Sequence, residues 1–216
     1  MRNPWLEIPL EDYEGHMSLP SVGQAKMLAD HFESLIRQHS PASVALIGCA
    51  GGNGLERISP RALDRIVAVD INPDYIAKTG IRHARRLKGL ELHCADAESD
   101  SMQFAPVDLI YAALLFEYVD AAATMRSLKR HCRPGGILAT VLQLPHAVQQ
   151  AVSPSPYTNL SLLTPRMRLL APADLCRCST AAGFVIAEAA AIELPSGKQF
   201  RAQNFRSEAA MEGGSV

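Results

Sequence analysis

Apolar residues in this chain gather in short runs set apart by polar, glycine-bearing and proline-bearing stretches. Val44 to Ile47, Arg65 to Asp70, Val107 to Ala113 and Ile137 to Leu142 are too short and too continuously apolar for amphipathic helices. They predict strands covered on both faces of a parallel sheet. Leu90 to Cys94 alternates and reads as a further strand, while Phe184 to Leu194 and Lys198 to Phe205 flank Pro195-Ser196-Gly197 and read as a hairpin. Helical spacing links Ala25, Leu28, Phe32, Leu35 and Ile36, with Ser21 and Gln24 at capping-box spacing and Ser40-Pro41 as a stop. Further helices are expected from about Gly52 through Leu55 and Ile58, from Asn72-Pro73-Asp74, and from Asp120 to Arg133-Pro134-Gly135-Gly136. The last runs from Pro172 to Ala182 and stops at Gly183. Residues 1 to 17 show no clean period and are expected as an extended arm. Residues 143 to 171, with Pro145, Pro154, Pro156 and Pro165, are expected as a lid loop.

The pattern breaks most sharply at Ile47-Gly48-Cys49-Ala50-Gly51-Gly52-Asn53-Gly54, where a buried strand runs into a glycine turn. Such a turn lets a ligand lie against the main chain, and a following helix would aim its N–H groups at that ligand. A nucleotide-like cofactor is the expected occupant. The dinucleotide fingerprint G-x-G-x-x-G fails, because Ala50 and Asn53 stand where its second and third glycines belong. Asp70 ends the next strand about twenty residues on, where an acid meets a ribose. Asn72, Pro73 and Asp74 suffice to open the helix that follows, which leaves Asp70 free for a ligand. Ala95-Asp96-Ala97 places another acid after the next strand.

The turn, the two acids and the Pro134-Gly135-Gly136 turn resemble those of class I S-adenosylmethionine-dependent methyltransferases. Strand–helix alternations closed by a hairpin are the element order of that family. The resemblance covers Val44 to Phe205 and implies an α/β, Rossmann-like doubly wound seven-stranded sheet, mostly parallel with an antiparallel last strand and helices on both faces. It implies S-adenosylmethionine as cofactor, S-adenosylhomocysteine as product, and a cofactor site of Gly48, Cys49, Ala50, Gly52, Asn53, Gly54, Asp70, Ile71, Asp96, Ala97 and Ala112. Asp96 resembles the acid that accepts the adenine amino hydrogens. Two positions depart from the pattern: Leu46 stands where an acid often precedes the first glycine, and Ala50 replaces the middle glycine. The glycine turn also resembles that of short-chain dehydrogenases, but none of Tyr13, Tyr75, Tyr111, Tyr118 or Tyr157 has the Lys four residues later that their proton transfer needs. A cofactor-binding protein without catalysis is the other alternative.

Composition narrows the class. With 216 residues, 48% hydrophobic content and a formal net charge of −1, the chain can bury a sizeable core and carries no broad basic footprint for nucleic acid. Arg82, Arg85, Arg86 and Lys88 form a small cluster at a helix end, read as a solvated face. The five cysteines lack a disulfide spacing, and no apolar run resembles a signal peptide or spans a bilayer. The expectation is a cytoplasmic protein with no metal site and no membrane partner. One domain over residues 1–216 is expected: arm and helix at 1–40, cofactor-binding half at 43–142, lid at 143–171, C-terminal helix and hairpin at 172–206.

Transfer of an activated methyl asks the protein to exclude water, align the acceptor and remove a proton where one is lost. The stretch Ala112-Ala113-Leu114-Leu115 lacks the Asn/Asp-Pro-Pro-Tyr/Phe of amino-group methylation of nucleobases and glutamine, and no Pro-Cys nucleophile follows that strand. A small-molecule acceptor is therefore expected. Glu117, His16 and Tyr118 are the candidate catalytic groups, and Tyr13, His146 and Tyr157 the candidate acceptor-binding groups.

Overall fold

A computed structural model describes residues 3–145 and 153–209, so His146 lies outside the described residues. Seven strands form one sheet in the order β3-β2-β1-β4-β5-β7-β6. They are β1 (Ser43–Ile47), β2 (Arg65–Asp70), β3 (Leu90–Cys94), β4 (Val107–Ala113), β5 (Cys132–Gln143), β6 (Phe184–Glu193) and β7 (Gln199–Ser207). The first five run parallel, while β7 lies antiparallel to both β5 and β6. The helices are α1 (Leu10–Ser18), α2 (Gln24–His39), α3 (Pro73–His83), α4 (Ala121–His131) and α5 (Pro172–Ala181).

Because side chains alternate along a strand, each apolar run feeds two cores. Val44, Leu46, Ile66, Ala68, Leu109 and Tyr111 face Leu28, Phe32 and Leu35 of α2. Ala45, Ile47, Val67, Val69 and Ile110 face the opposite side, packed with Met125 and Leu128 of α4 and Leu175 of α5. The doubly covered sheet expected from the continuous runs is what forms. Full burial of a side chain such as Phe32 contributes roughly 2–3 kcal/mol.

Four expectations need correction. Residues 4–18 are not extended: Pro4–Leu6 is a 3-10 turn capped by the Asn3 side chain, and Leu10–Ser18 is a helix whose Leu10, His16 and Met17 are buried. Weak amphipathicity hid this helix, since it packs onto the sheet rim from above rather than into a layer. The Ser21–Gln24 capping box is absent, and α2 starts after Gly23, which sits at φ +64° without a side-chain cap. No regular helix follows the glycine turn, only a 3-10 turn at Leu55–Arg57. Pro134-Gly135-Gly136 lies inside β5, which begins at Cys132. By contrast, Asn72 caps α3 as expected, its side chain accepting from the amides of Asp74 and Tyr75.

Candidate functional site

The carboxyl ends of β1 to β5 converge on three adjoining cavities, and one side chain, Tyr13 of α1, lines all three. The first, about 410 Å³, lies over the glycine turn between Glu14, Leu28, Tyr111 and Arg82. The second, about 80 Å³, lies between Trp5, Asp70, Ile71, Asp96, Ala97 and Tyr118. The third, about 50 Å³, is lined by residues including His16, Gln24, Glu117, Gln143, Leu160 and Lys198.

The turn itself is tied down from within. The amides of Gly48 and Cys49 both donate to the Val69 carbonyl at 2.9 and 3.0 Å, that of Ala50 to Asp70 Oδ2 at 2.9 Å, and that of Gly52 to the Cys49 carbonyl at 2.8 Å. The Gly54 amide donates to Glu56 Oε2 at 2.8 Å. The expectation of a ligand held by free turn amides and a helix N-terminus is thus corrected: these amides are used, and the helix is missing. Ala50 holds φ +47°, a left-handed conformation an L residue adopts at some cost. Gly52, at φ +84°, leaves no room for a Cβ, which would stand 2.9 Å from His83 Cδ2.

Asp70 is buried, not free. Its Oδ2 holds the Ala50 amide and its Oδ1 the Asn72 amide at 2.9 Å, so the carboxylate joins the glycine turn to the start of α3. Burial pushes its carboxyl up while these amides pull it down. Two of a carboxylate's roughly four acceptor positions are taken, and the residue still faces the second cavity. Asp96 and Ala97 line the same cavity. Ala112 does not line it: the side chain is buried in the sheet, and its neighbour Ala113 reaches the first two cavities instead. Gly54 makes room for Phe32 of α2.

Residues 3–18 roof these cavities. Asn72 Nδ2 donates to the Trp5 carbonyl at 2.8 Å and Tyr75 Oη to the Ile8 carbonyl at 2.9 Å. Arg82 clamps Glu14 through both guanidinium nitrogens. The basic cluster is accordingly not a merely solvated face, since Arg86 also donates to the carbonyls of Leu55 and Ile58. Trp5 meets Tyr13 and Tyr118 edge-on, with ring centroids 5.5 and 5.0 Å apart.

Glu117 follows β4, after Leu114 at φ +52°. It is 1% exposed, and its Oε1 accepts from the Gln143 amide at 2.7 Å. Its Oε2 is buried with no hydrogen-bond partner among the described residues. Burial pushes the carboxyl up to about 7, against the pull of the Gln143 amide. His16 lies in the same cavity with Nδ1 likewise unpartnered among the described residues, and burial together with the Lys198 charge lowers it. The Tyr118 and Tyr13 hydroxyls are pushed up by burial first and then by neighbouring carboxylates. Tyr157 packs on Gly15 of the roof and is not among the residues lining the three cavities.

Sequence reasoning missed Trp5, Glu14, Gln24, Gln143 and Lys198. Trp5 and Glu14 fell in the stretch read as an arm, and Lys198 follows a hairpin turn whose spacing says nothing about which rim it meets. Among the described residues, no group of three or more His, Cys, Asp or Glu is placed to hold a metal, and no helix is long and apolar enough to cross a membrane.

Residues 46–140 match the family model described as a methyltransferase domain. The chain is 36% identical over 107 residues to trans-aconitate 2-methyltransferase of Azoarcus sp. (strain BH72), a match covering 48% of this chain and 39% of that protein. It therefore spans well under half of that relative's length. Among solved structures, the N-methyltransferase NodS from Bradyrhizobium japonicum WM9, in complex with S-adenosylhomocysteine, superposes with a TM-score of 0.62. Identity there is 18%, covering 97% of this chain and 94% of that one. The [4+2]-cyclase SpnF superposes with a TM-score of 0.64 at 15% identity, covering 83% and 82%. These structural likenesses establish the fold.

Proposed function

We propose that this chain, whose residues 46–140 match a methyltransferase-domain model and whose sheet has the order β3-β2-β1-β4-β5-β7-β6, transfers a methyl group from S-adenosylmethionine to a small-molecule acceptor. The observation that carries this reading is that five amides of the glycine turn are committed to partners within the protein. With the amides of Gly48, Cys49, Ala50, Gly52 and Gly54 committed inside the protein, the turn is poorly suited to a pyrophosphate. A phosphate-free, cationic cofactor suits it better, and this disfavours the nicotinamide alternative. The Arg82–Glu14 pair beside the first cavity presents both signs of charge to an amino-acid moiety. Asp70 and Asp96 would take the ribose and adenine ends in the second cavity.

Bound there, the cofactor supplies a methyl on a positively charged sulfur, an activated leaving group. This chain's residues then have three tasks. Tyr13, Trp5 and Tyr118 wall the junction of the second and third cavities and exclude water. The third cavity holds the acceptor, with its nucleophilic atom toward that junction. Glu117 Oε2 takes the proton that an N–H or O–H nucleophile loses as the new bond to carbon forms, the old carbon–sulfur electron pair staying on sulfur. A carboxyl near 7 with a vacant acceptor oxygen is suited to that role, and this favours Glu117 over His16 and Tyr118.

The [4+2]-cyclase on the same fold favours a second reading, in which the chain binds the cofactor without transferring its methyl. The five cysteines are free thiols, which supports a reducing, cytoplasmic setting. Calorimetric titration with S-adenosylmethionine, S-adenosylhomocysteine and the nicotinamide dinucleotides tests the cofactor. Micromolar binding of the first two alone is expected, and preference for a dinucleotide would overturn the reading. Acceptor-dependent release of S-adenosylhomocysteine then separates catalysis from binding.

A further inference from the structure

Two hydrogen-bonding atoms on residues that line the third cavity have no partner among the described residues. One is Nδ1 of His16, a residue in the last turn of α1 that is 6% exposed. The other is Oε2 of Glu117, whose Oε1 holds the Gln143 amide at 2.7 Å. Both residues line this cavity, and neither lines the first or the second. Leaving a polar atom buried and unpaired is costly, so two of them around one space point to an occupant that satisfies both. The space is about 50 Å³ and a water's share of liquid is about 30 Å³, so roughly one or two water-sized groups fill it. The titratable groups facing it are Tyr13 and His16 from α1, Glu117 and Tyr118 after β4, and Lys198 after the hairpin turn. Burial, and then the Lys198 charge, lower His16, which favours the neutral imidazole.

We infer that one occupant bridges Glu117 Oε2 and His16 Nδ1: a water when no acceptor is bound, and the acceptor's own hydroxyl or amine when it is. His16 is thereby the residue that selects the reacting atom. The acceptor half of this inference rests on the proposed methyl transfer, and the bridging water does not. With Glu117 ionised to receive the proton and His16 neutral, a water donates to the carboxylate and meets either tautomer of the imidazole. A hydroxyl donates its one hydrogen to Glu117, accepts from Nδ1–H through one lone pair and keeps the other for the methyl. An amine gives one hydrogen to Glu117 and one to a bare Nδ1, and its lone pair attacks. In either case the new bond forms to the methyl carbon, the proton passes to Glu117 Oε2 and the carbon–sulfur pair stays on sulfur. A thiol is a weak donor and a weak acceptor at both points. A carboxylate has no proton to give and meets a like charge at Glu117.

Crystals of the protein with S-adenosylhomocysteine, grown at pH 8, test this directly. An ordered water about 3 Å from both atoms is expected. Soaks in methanol and in methoxyamine, whose amine is neutral at this pH, are expected to place an oxygen or a nitrogen where that water stood, and a soak in methanethiol to leave the water in place. His16→Leu is expected to lose the bridging water and the methanol. His16→Asn, whose side-chain amide reaches about as far as Nδ1, is expected to keep them. In solution the Glu117 carboxyl, followed by carbon NMR, should titrate about one pH unit higher in His16→Leu than in the parent, because its ionised form loses a bridged donor. His16→Asn should restore the parent titration. His16→Phe serves in place of the leucine variant if that one does not fold, judged by its melting temperature. A dry cavity, a water on only one of the two atoms, alcohol and amine both excluded, a thiol bound as readily as the alcohol, or a Glu117 titration unmoved by the loss of Nδ1 would each overturn the inference. If S-adenosylhomocysteine does not bind, the methyl-transfer reading falls instead, and the water and the titration are read in the protein without it.

Discussion

Two buried carboxylates stand on one sheet rim, either side of β1, and their surroundings give them different partners. Asp70, at the end of β2, holds two backbone amides belonging to different segments, the glycine turn and the entry to α3. Glu117, just past β4, holds one amide with one oxygen and leaves the other oxygen without a partner among the described residues. Both carboxyls are raised by burial. The number of donors aimed at each then separates them: a carboxylate committed to two amides organises structure, and one committed to a single amide can still move a proton.

The widest separation is expected from Asp70→Ala. It strands the Ala50 and Asn72 amides in a buried place, at roughly 1–3 kcal/mol each. Urea denaturation should register a loss of about 4 kcal/mol, with S-adenosylhomocysteine affinity falling about a thousandfold by calorimetry. If stability and affinity both stay within error of the parent, Asp70 does not hold the turn.

Glu117 should show itself through pH. Between the ordinary carboxylate range and about 7, the folded chain keeps a proton that the unfolded chain has released. Stability therefore falls as pH rises through that window, by on the order of 3 kcal/mol from this group. The histidines His16, His31, His83 and His131 are lowered by burial and act in the opposite sense, so the readout is the difference between parent and Glu117→Gln at pH 5 and pH 8. The glutamine variant should lose the fall.

The same variant should turn over about a hundredfold more slowly. The rising limb of the parent's rate near pH 7 should disappear, with cofactor affinity nearly unchanged. An unaltered pH–rate profile would assign the proton elsewhere.

Smaller effects sharpen the picture of the turn. Gly52→Ala meets both a left-handed backbone and the His83 ring, and should cost about 1–2 kcal/mol. Ala50→Gly relieves a positive φ and should change the melting temperature by no more than a few degrees, upward. A fall on that substitution would mean that the alanine methyl packs for a purpose.

The sheet was legible because its signal is local. The apolar runs at 44–47, 65–70 and 107–113 and the Asn72 cap each carry their own cause within a few residues. Much of the site was not, because its causes lie between segments. Asp70 was found by spacing, but that its oxygens were already occupied depends on where the Ala50 amide folds back. The helix expected after Gly52 had two apolar residues to recommend it, yet the chain spends Leu55 and Ile58 on a short turn pinned by Arg86. Trp5 and Glu14 were hidden in a segment whose fold is fixed by what it covers. Its carbonyls at positions 5 and 8 accept from Asn72 and Tyr75, some 67 residues away in sequence.

The third cavity draws its walls from α1 near the start of the chain, from the ends of β4 and β5, and from Lys198 beyond β6. During synthesis, β1 to β5 and the turn they carry have left the ribosome well before Lys198 does. The rim at the ends of β1 to β4 thus leaves the ribosome before the last wall of the third cavity does. Because β5 pairs with β7 along its length, and Phe200 and Phe205 sit one in each core, the sheet and that last wall are completed together, by the final strand to be made.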